Sequence, residues 1–162
     1  GVGFKYICEE MLKGDVLLGF EESGGIGFPG YIPERDGILA GMMVLEMLAV
    51  ERKSIKSMLS ELNRKFGRHC YRRLDMHFPL NKRSLLMRKC TDDPPLRLLH
   101  SGVSKVYSFD GVKLVASDGS WLMWRGSGTE PVLRIYAEAD SEMKVGRLLR
   151  QGKRLADKLA RE

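Results

Sequence analysis

The sequence predicts an α/β fold over its first 66 residues and an α+β fold with an antiparallel sheet over the rest. In the first part, a short apolar run at 16–20 lies between helical patterns, which is typical of a buried strand. In the second part, short strand patterns are separated by Asp110-Gly111 and Asp118-Gly119, which favour hairpins. The first part carries 8 basic and 10 acidic residues, a net charge of −2, whereas the second carries 19 and 11, a net charge of +8.

The first part is predicted to contain three helices and one strand. The helical spacing that begins at Phe4 ends at Gly14-Asp15, and Gly67 stands where a helix commonly ends in a left-handed residue. Asp36 is a capping residue for a helix that is apolar on nearly every side, so we expect that helix to be deeply buried. The predicted elements are helix 4–12, strand 16–20, loop 21–35, helix 38–48 and helix 54–66.

The second part is predicted to contain five strands, a short helix and a long terminal helix that Ser141 caps. The domain boundary is expected near residues 66–68, which gives domains of residues 1–67 and 68–162. The predicted elements are strand 69–79, helix 81–89, turn 91–95, strands 103–109, 112–116 and 121–124, loop 125–131 and strand 132–139. The residues of the terminal helix expected to face inward are Val145, Leu148, Leu149, Ala156 and Leu159.

Composition excludes several classes of protein. Hydrophobic residues make up 43% of the chain and charged residues 30%, which is ordinary for a globular protein and unlike a disordered tail. The longest apolar stretch, residues 38–50, contains Glu46 and is too short to span a bilayer. Three cysteines without a C-x-x-C pair argue against a disulfide framework or zinc knuckle and favour the reducing cytoplasm. We expect no signal peptide, and because the chain begins with Gly1 we expect a piece of a longer protein.

The loop at 125–131 is the sharpest candidate for a binding site. Its two glycines allow the backbone to approach an anion and to turn successive N–H groups inward. Ser127 and Thr129 add hydroxyl donors, and Arg125 adds a planar fork that matches two phosphate oxygens. These residues alone leave two interpretations open, a phosphate site and a plain glycine-rich connection between strands.

A second candidate lies where the strand at 16–20 runs into the following loop, at Gly19-Phe20-Glu21-Glu22-Ser23-Gly24-Gly25. A carboxylate and a hydroxyl, such as Glu21 and Ser23, can accept from and donate to neighbouring hydroxyl groups of a sugar. Two exposed acids at the end of a strand are the ordinary alternative. Glu21 and Glu22 are adjacent, so they point apart and make a poor acid–base pair.

These two loops resemble those of the α-D-phosphohexomutase superfamily, the phosphoglucomutases and phosphomannomutases. The first is similar to the G-E-x-S-G pattern of the family's sugar-recognition loop in its third domain, with Phe20 inserted. The segment Pro33-Glu34-Arg35-Asp36-Gly37-Ile38 resembles the one that follows, where the family has a basic residue before D-G. The segment Arg125-Gly126-Ser127-Gly128-Thr129-Glu130-Pro131, with Arg134, is similar to the fourth domain's phosphate-binding signature R-x-S-G-T-E-P-x-x-R.

The resemblance covers essentially the whole chain and implies a fold and a set of site residues. Residues 1–67 would be the C-terminal half of a third domain of α/β/α type. Residues 68–162 would be the fourth domain, a four-stranded antiparallel sheet with helices on one face, similar to the TATA-binding protein. The implied sugar-binding residues are Glu21, Ser23, Gly24 and Arg35. The implied ligands of the phosphate that does not react are Arg125, Ser127, Gly128, Thr129 and Arg134.

For the parent enzyme, the resemblance implies interconversion of hexose 1-phosphate and hexose 6-phosphate, with glucose favoured by the E-E-S form of the loop. A phosphoserine in the first domain would donate its phosphoryl group, hexose 1,6-bisphosphate would be the intermediate, and Mg²⁺ would be held in the second domain. This chain has neither the phosphoserine loop nor the metal loop, so we expect no catalytic or metal residue in it and no turnover by it alone. The expected partners are a phosphosugar and the N-terminal domains of the same protein, in the cytoplasm and without a membrane.

Two other hypotheses remain open. One is a free-standing module that binds a phosphosugar or regulates another protein. The other is a nucleic-acid-binding domain, which the charge of +8 and the residues Trp121 and Trp124 suggest. Alternation along one strand places these two tryptophans on opposite faces, where they cannot form one stacking platform, so nucleic acid is not the expected partner.

Overall fold

The structure is a computed structural model that describes residues 3–128 and 130–161. The chain forms two compact units, which divide between Leu62 and Asn63. The domain boundary expected after residue 67 stays a prediction.

The first unit contains two helices, a small hairpin and most of a third helix. The helices are α1 (Phe4–Leu12), α2 (Gly37–Glu51) and α3 (Ile55–Phe66), close to the three predicted ones. The hairpin pairs β1 (Gly19–Phe20) with β2 (Ile26–Gly27) in antiparallel orientation. Strand β1 is therefore shorter than the predicted strand at 16–20. Strand β2 lies in a segment predicted as loop, because two residues are too few to show an alternating pattern.

Helix α2 begins where the sequence predicts but is not buried. Asp36 Oδ1 accepts hydrogen bonds from the N–H groups of Ile38 and Leu39, both at 2.9 Å, which is the expected N-terminal cap. No α2 residue is buried, and Leu45 is 66% exposed. The expectation of a deeply buried helix is wrong here, because the strands of this unit in the described part of the chain are only β1 and β2, two residues each.

The second unit is built on a six-stranded antiparallel sheet in the order β3-β8-β7-β6-β5-β4. Its strands are β3 (Cys70–His77), β4 (Arg97–Leu98), β5 (Ser101–Tyr107), β6 (Val112–Ala116), β7 (Trp121–Gly126) and β8 (Val132–Ala139). The expectation of a four-stranded sheet is therefore wrong. The residues themselves predict five of these strands, and the sixth, β4, is too short to show alternation.

Two helices, α4 (Arg83–Asp92) and α5 (Glu142–Arg161), pack with one face of this sheet around the hydrophobic core. Alternate residues of β6, β7 and β8 supply the sheet side of that core. Trp124 is fully buried in it and donates from Nε1 to the Gly152 carbonyl at 3.0 Å. Trp121 lies on the other face of β7, as the alternation predicts. The α5 residues predicted to face inward are all buried: Val145, Leu148, Leu149, Ala156 and Leu159.

Candidate functional site

The candidate phosphate loop closes the hairpin between β7 and β8. Arg125 and Gly126 belong to β7, so the connecting loop is shorter than predicted. The Ser127 N–H donates to the Val132 carbonyl at 2.9 Å and extends the ladder into the loop. Buried Ser127 also accepts at Oγ from the Glu130 N–H at 3.3 Å, which leaves its hydroxyl hydrogen able to donate. Thr129, the other predicted hydroxyl donor, lies outside the described residues.

Arg125 and Arg134 lie directly opposite each other on β7 and β8. Directly opposed residues of an antiparallel pair have Cβ atoms about 5 Å apart, and both side chains leave the same face of the sheet. That face is the one opposite the core, because the neighbouring Trp124 and Ile135 point into the core. Two like charges in this arrangement destabilise the sheet unless an anion or a carboxylate compensates them.

The carboxylates near the two arginines compensate them only in part. Asp110 Oδ1 lies 3.9 Å from Arg125 Nε, and Asp75 Oδ2 lies 3.9 Å from Arg134 Nε, which is too long for a hydrogen bond. Arg125 Nη1 lies 3.4 Å from the Tyr136 hydroxyl oxygen. Both Nε atoms are buried and donate to no acceptor among the residues that the structure describes. Such donors are costly to leave unpaired, so this geometry favours an anion whose oxygens approach both guanidinium groups.

Arg83 is a candidate functional residue that the sequence did not predict. It begins α4, and its guanidinium donates from Nη1 to the Ser127 carbonyl and from Nη2 to the Glu130 carbonyl, the latter at 2.7 Å. Arg83 precedes Ser127 by 44 residues and is one of several basic residues in its segment. No spacing in the sequence connects the two positions, so only the fold shows this contact.

The predicted sugar-binding residues of the first unit lie on the turn of the β1–β2 hairpin. The Glu21 N–H donates to the Gly25 carbonyl at 2.9 Å, and the Gly24 N–H donates to the Glu21 carbonyl at 3.0 Å. Gly24 has a φ of +93°, a conformation that favours glycine. Ser23 and Gly24 are exposed, so the turn presents a hydroxyl and a backbone to solvent.

Arg35 holds the Glu21 carboxylate in this turn. Arg35 Nη1 donates to Glu21 Oε2 at 3.2 Å, and the Glu21 side chain is only 19% exposed. Arg35 is held in turn by Glu34, whose Oε1 accepts from the Arg35 N–H at 2.8 Å and from its Nε at 3.2 Å. These two hydrogen bonds lower the pKa of Glu34, and the bond from the Arg35 backbone N–H has the larger effect. The structure thus brings Glu21 and Arg35 together, while the adjacent Glu22 is exposed.

Two family models match the chain, one over each part. The model described as "Phosphoglucomutase/phosphomannomutase, alpha/beta/alpha domain III" matches residues 1–66, and the one described as "Phosphoglucomutase/phosphomannomutase, C-terminal domain" matches residues 87–155. The chain belongs to the phosphoglucomutase/phosphomannomutase family. It carries sequence of the family's third and C-terminal domains in that order, as the two loops predicted.

Individual members of the family match along nearly the whole chain. A phosphoglucomutase/phosphomannomutase of Thermococcus kodakarensis is 29% identical over 96% of this chain, and a phosphoglucosamine/phosphogalactosamine mutase of Sulfurisphaera tokodaii is 30% identical over 96%. The crystal structure of a protein described as a phosphomannomutase from Thermus thermophilus superposes with a TM-score of 0.76 at 36% identity over 96% of this chain. The chain spans 32% of the length of each of the first two relatives and 30% of the third.

Neither a metal cluster nor a membrane-spanning helix occurs in the described part of this phosphohexomutase segment. Within residues 3–128 and 130–161, no group of three or more His, Cys, Asp or Glu side chains could hold a metal ion. Among the same residues, no helix combines the length and the apolar character that spanning a bilayer requires.

Proposed function

We propose that this chain is the sugar-phosphate-binding part of a phosphohexomutase that interconverts hexose 1-phosphate and hexose 6-phosphate, with glucose as the preferred hexose. The observation that carries the proposal is the opposed pair Arg125 and Arg134, whose buried Nε groups lack hydrogen-bond acceptors among the described residues, beside a loop rich in donors. A phosphate dianion supplies several acceptor oxygens and two negative charges, which is what this arrangement lacks.

Each unit contributes contacts of a different kind in this proposal. Arg125 and Arg134 bind the phosphate that is not reacting, and Ser127, Gly128 and Thr129 add hydroxyl and N–H donors. Glu21 and Ser23 contact sugar hydroxyls with Gly24 allowing close approach, while Arg35 keeps the Glu21 carboxylate in one orientation. In this proposal the chain binds and orients the substrate, and a group outside the chain attacks phosphorus.

The phosphoryl transfer itself is assigned to other domains of the parent protein, which are the expected partners of this chain in the cytoplasm. A phosphoserine there would exchange its phosphoryl group with the sugar, with hexose 1,6-bisphosphate as the intermediate. Mg²⁺ would neutralise charge on the transferring phosphoryl group, held by residues outside this chain.

The proposal is tested by titrating this chain with glucose 6-phosphate and with inorganic phosphate while backbone amide shifts are recorded. We expect an affinity on the order of millimolar, about 4 kcal/mol, because the loop is open to water without the other domains. Arg125→Ala should weaken binding of both ligands about tenfold or more, and Arg125→Lys should restore only part, because an ammonium group cannot match two oxygens in parallel.

The Glu21 contact has a matched control in its neighbour. Glu21→Gln should weaken glucose 6-phosphate binding and leave inorganic phosphate binding unchanged, because the contact is with hydroxyl groups. Glu22→Gln removes the same charge from an exposed side chain and should change neither affinity. If Gly126, Ser127 and Gly128 do not shift while changes scatter over the basic surface, the loop is a plain connection and the nucleic-acid hypothesis gains.

A further inference from the structure

Arg83 spans the two ends of the candidate phosphate loop. One terminal nitrogen of its guanidinium donates to the Ser127 carbonyl and the other donates to the Glu130 carbonyl. The Glu130 carbonyl also accepts from the Val132 N–H at 2.7 Å. A planar guanidinium fixes the separation of its two nitrogens, so these contacts fix the separation of the two carbonyls as well.

The contact with Ser127 sets the direction of the next N–H group. In a planar trans peptide the C=O of one residue and the N–H of the following residue point to opposite sides. Because Arg83 holds the Ser127 carbonyl, the Gly128 N–H points away from Arg83. Within the described residues no acceptor takes the Gly128 N–H, so this donor is available to a ligand. A Ser127 carbonyl turned the other way would instead repel an anion.

Gly126 gives Arg83 the room for this contact. A Cβ atom built on Gly126 would collide with Cδ of Arg83 and lie 2.9 Å from its Cγ, so the arginine side chain crosses directly over this glycine. Gly126 lies within β7 and its backbone is not in the left-handed region, so the local conformation does not require glycine. A side chain at position 126 therefore fits only if Arg83 moves aside.

We propose that Arg83 is a positioning residue of the phosphate loop, which it reaches across Gly126 and sets so that the Gly128 N–H faces the anion. This inference rests on the proposed function, since it concerns how the same loop is prepared for phosphate. Arg83 acts through the loop backbone and differs in this from Arg125 and Arg134, whose guanidinium groups face the ligand themselves.

The first test compares inorganic phosphate binding by the full chain and its variants through amide shifts. Arg83→Ala should weaken phosphate binding about tenfold. Without Arg83 the loop is not held in place beforehand, so binding must fix the backbone of roughly one more residue and pay its conformational entropy. Arg83→Lys should recover part of the affinity, since it keeps the charge but loses the fork. Arg88→Ala removes the same charge from an exposed position on α4 and should leave the affinity unchanged.

The second test separates positioning from direct contact with phosphate. In the phosphate-free protein, Arg83→Ala should shift the Ser127 and Gly128 amide resonances and speed their hydrogen exchange, with the rest of the sheet unchanged. A direct ligand would lower affinity without changing these amides. Unchanged loop amides in the free Arg83→Ala protein would therefore overturn the positioning role.

Gly126 provides an independent perturbation that leaves every proposed phosphate ligand in place. Gly126→Ala should displace Arg83 and weaken phosphate binding to a similar degree. The double variant with both changes should bind phosphate no more weakly than Arg83→Ala alone, because each change removes the same contact, that of Arg83 with the loop. Additive losses would overturn the proposed link between these two residues. If urea unfolding shows that Arg83→Ala does not fold, Gly126→Ala alone still tests the proposal.

The variants at Arg125 distinguish failure of this inference from failure of the proposed function. If Arg125→Ala loses phosphate binding while Arg83→Ala and Gly126→Ala keep it, the positioning role is refuted and the phosphate site stands. If the wild-type loop does not respond to phosphate, or Arg125→Ala binds it as well as the wild type does, the proposed function fails and this inference fails with it.

Discussion

Asp118→Asn should lower the free energy of unfolding of the second unit by about 1 to 2 kcal/mol at pH 7. Asp118 lies in the turn between β6 and β7, and its carboxylate oxygens accept from two different elements. Oδ1 accepts from the Ser120 N–H at 3.0 Å and from the Ser120 hydroxyl at 2.6 Å. Oδ2 accepts from Lys144 Nζ, in the first turn of α5, at 2.7 Å. The residue therefore ties the hairpin to the helix that covers the sheet.

The magnitude follows from what asparagine keeps and what it loses. Its remaining oxygen can still accept from Ser120, so the local turn is retained, but it carries no charge to pair with the Lys144 ammonium group. A hydrogen bond to a charged partner contributes about 1.5–3 kcal/mol when it is well shielded. The Asp118 and Lys144 side chains are 30% and 24% exposed, and solvent screening at that exposure reduces the loss toward the lower end.

The loss should also depend on pH. Burial disfavours the charged form of Asp118 and acts to raise its pKa, but the hydrogen bonds from Lys144, Ser120 and Ser101 outweigh burial and hold the pKa well below its ordinary range. A carboxyl group whose pKa is lowered on folding stabilises the fold fully above its unfolded pKa of about 4. That stabilisation is lost as the pH falls toward the folded pKa. The difference in free energy of unfolding between the wild type and the variant should therefore shrink progressively as the pH falls below about 4.

Urea unfolding followed by tryptophan fluorescence at pH 7 and at pH 3 measures this difference. Both tryptophans of the chain lie in β7, so the signal reports on the second unit alone. The matched control is Asp93→Asn, because Asp93 also accepts from a lysine, Lys89, but its side chain is 72% exposed. That control should move the unfolding midpoint much less. An Asp118→Asn effect no larger than that of the control, or one that is equal at both pH values, would refute the reasoning.

Two further predictions concern the stability of each unit. Limited proteolysis should cut first before Gly67, because the large buried core lies in the second unit while α2 is exposed; protection of the first unit with digestion of the second would contradict this. Gly111→Ala should destabilise the second unit by more than about 1 kcal/mol, since Gly111 has a φ of +122° and an added Cβ would lie 2.6 Å from the Trp124 carbonyl oxygen. Gly102→Ala, at an open position on β5, is its control, and equal urea midpoints for the two variants would count against the argument.

The sequence was most informative where local pattern and local structure coincide. Strands β6 and β8 have the predicted bounds, because alternating burial over several residues is bounded by turn residues. The inward residues of α5 were predicted correctly because a long helix with one apolar stripe can bury only that stripe. The pair β1 and β2 could not be predicted in full, because two-residue strands depend on backbone pairing rather than on side-chain pattern.

Helix α2 shows why burial is harder to predict than helix formation. Its cap at Asp36 is local and could be predicted from the residue types alone. Its apolar surface predicts that something covers it, but composition does not say which residues those are. Whether Leu45 and its neighbours are exposed therefore depends on which other residues pack against the helix, and the helix sequence does not determine it.

In the candidate phosphate site, too, some residues could be predicted from the sequence, whereas their contacts could not. Arg125 and Arg134 were predicted from a contiguous signature, but that they face each other depends on the register of β7 and β8. Arg83 and Gly126 meet only because α4 begins beside the β7–β8 hairpin. A contact between residues so far apart in sequence leaves no local pattern, and the fold is needed to find it.

The charge of the second unit also needs the structure before it can be interpreted. Much of its basic charge is on the exposed surface of α5, at Arg147, Arg150, Lys153, Arg154, Lys158 and Arg161. Exposed cations in water attract anions weakly, are screened by salt and impose little direction on a ligand. Arg83, Arg125 and Arg134 are only partly exposed, and neighbouring carbonyl, hydroxyl or carboxylate groups restrict their orientation. We therefore expect the proposed phosphate specificity to depend on the fixed geometry of three arginines, and the net charge of +8 over residues 67–162 does not by itself predict it.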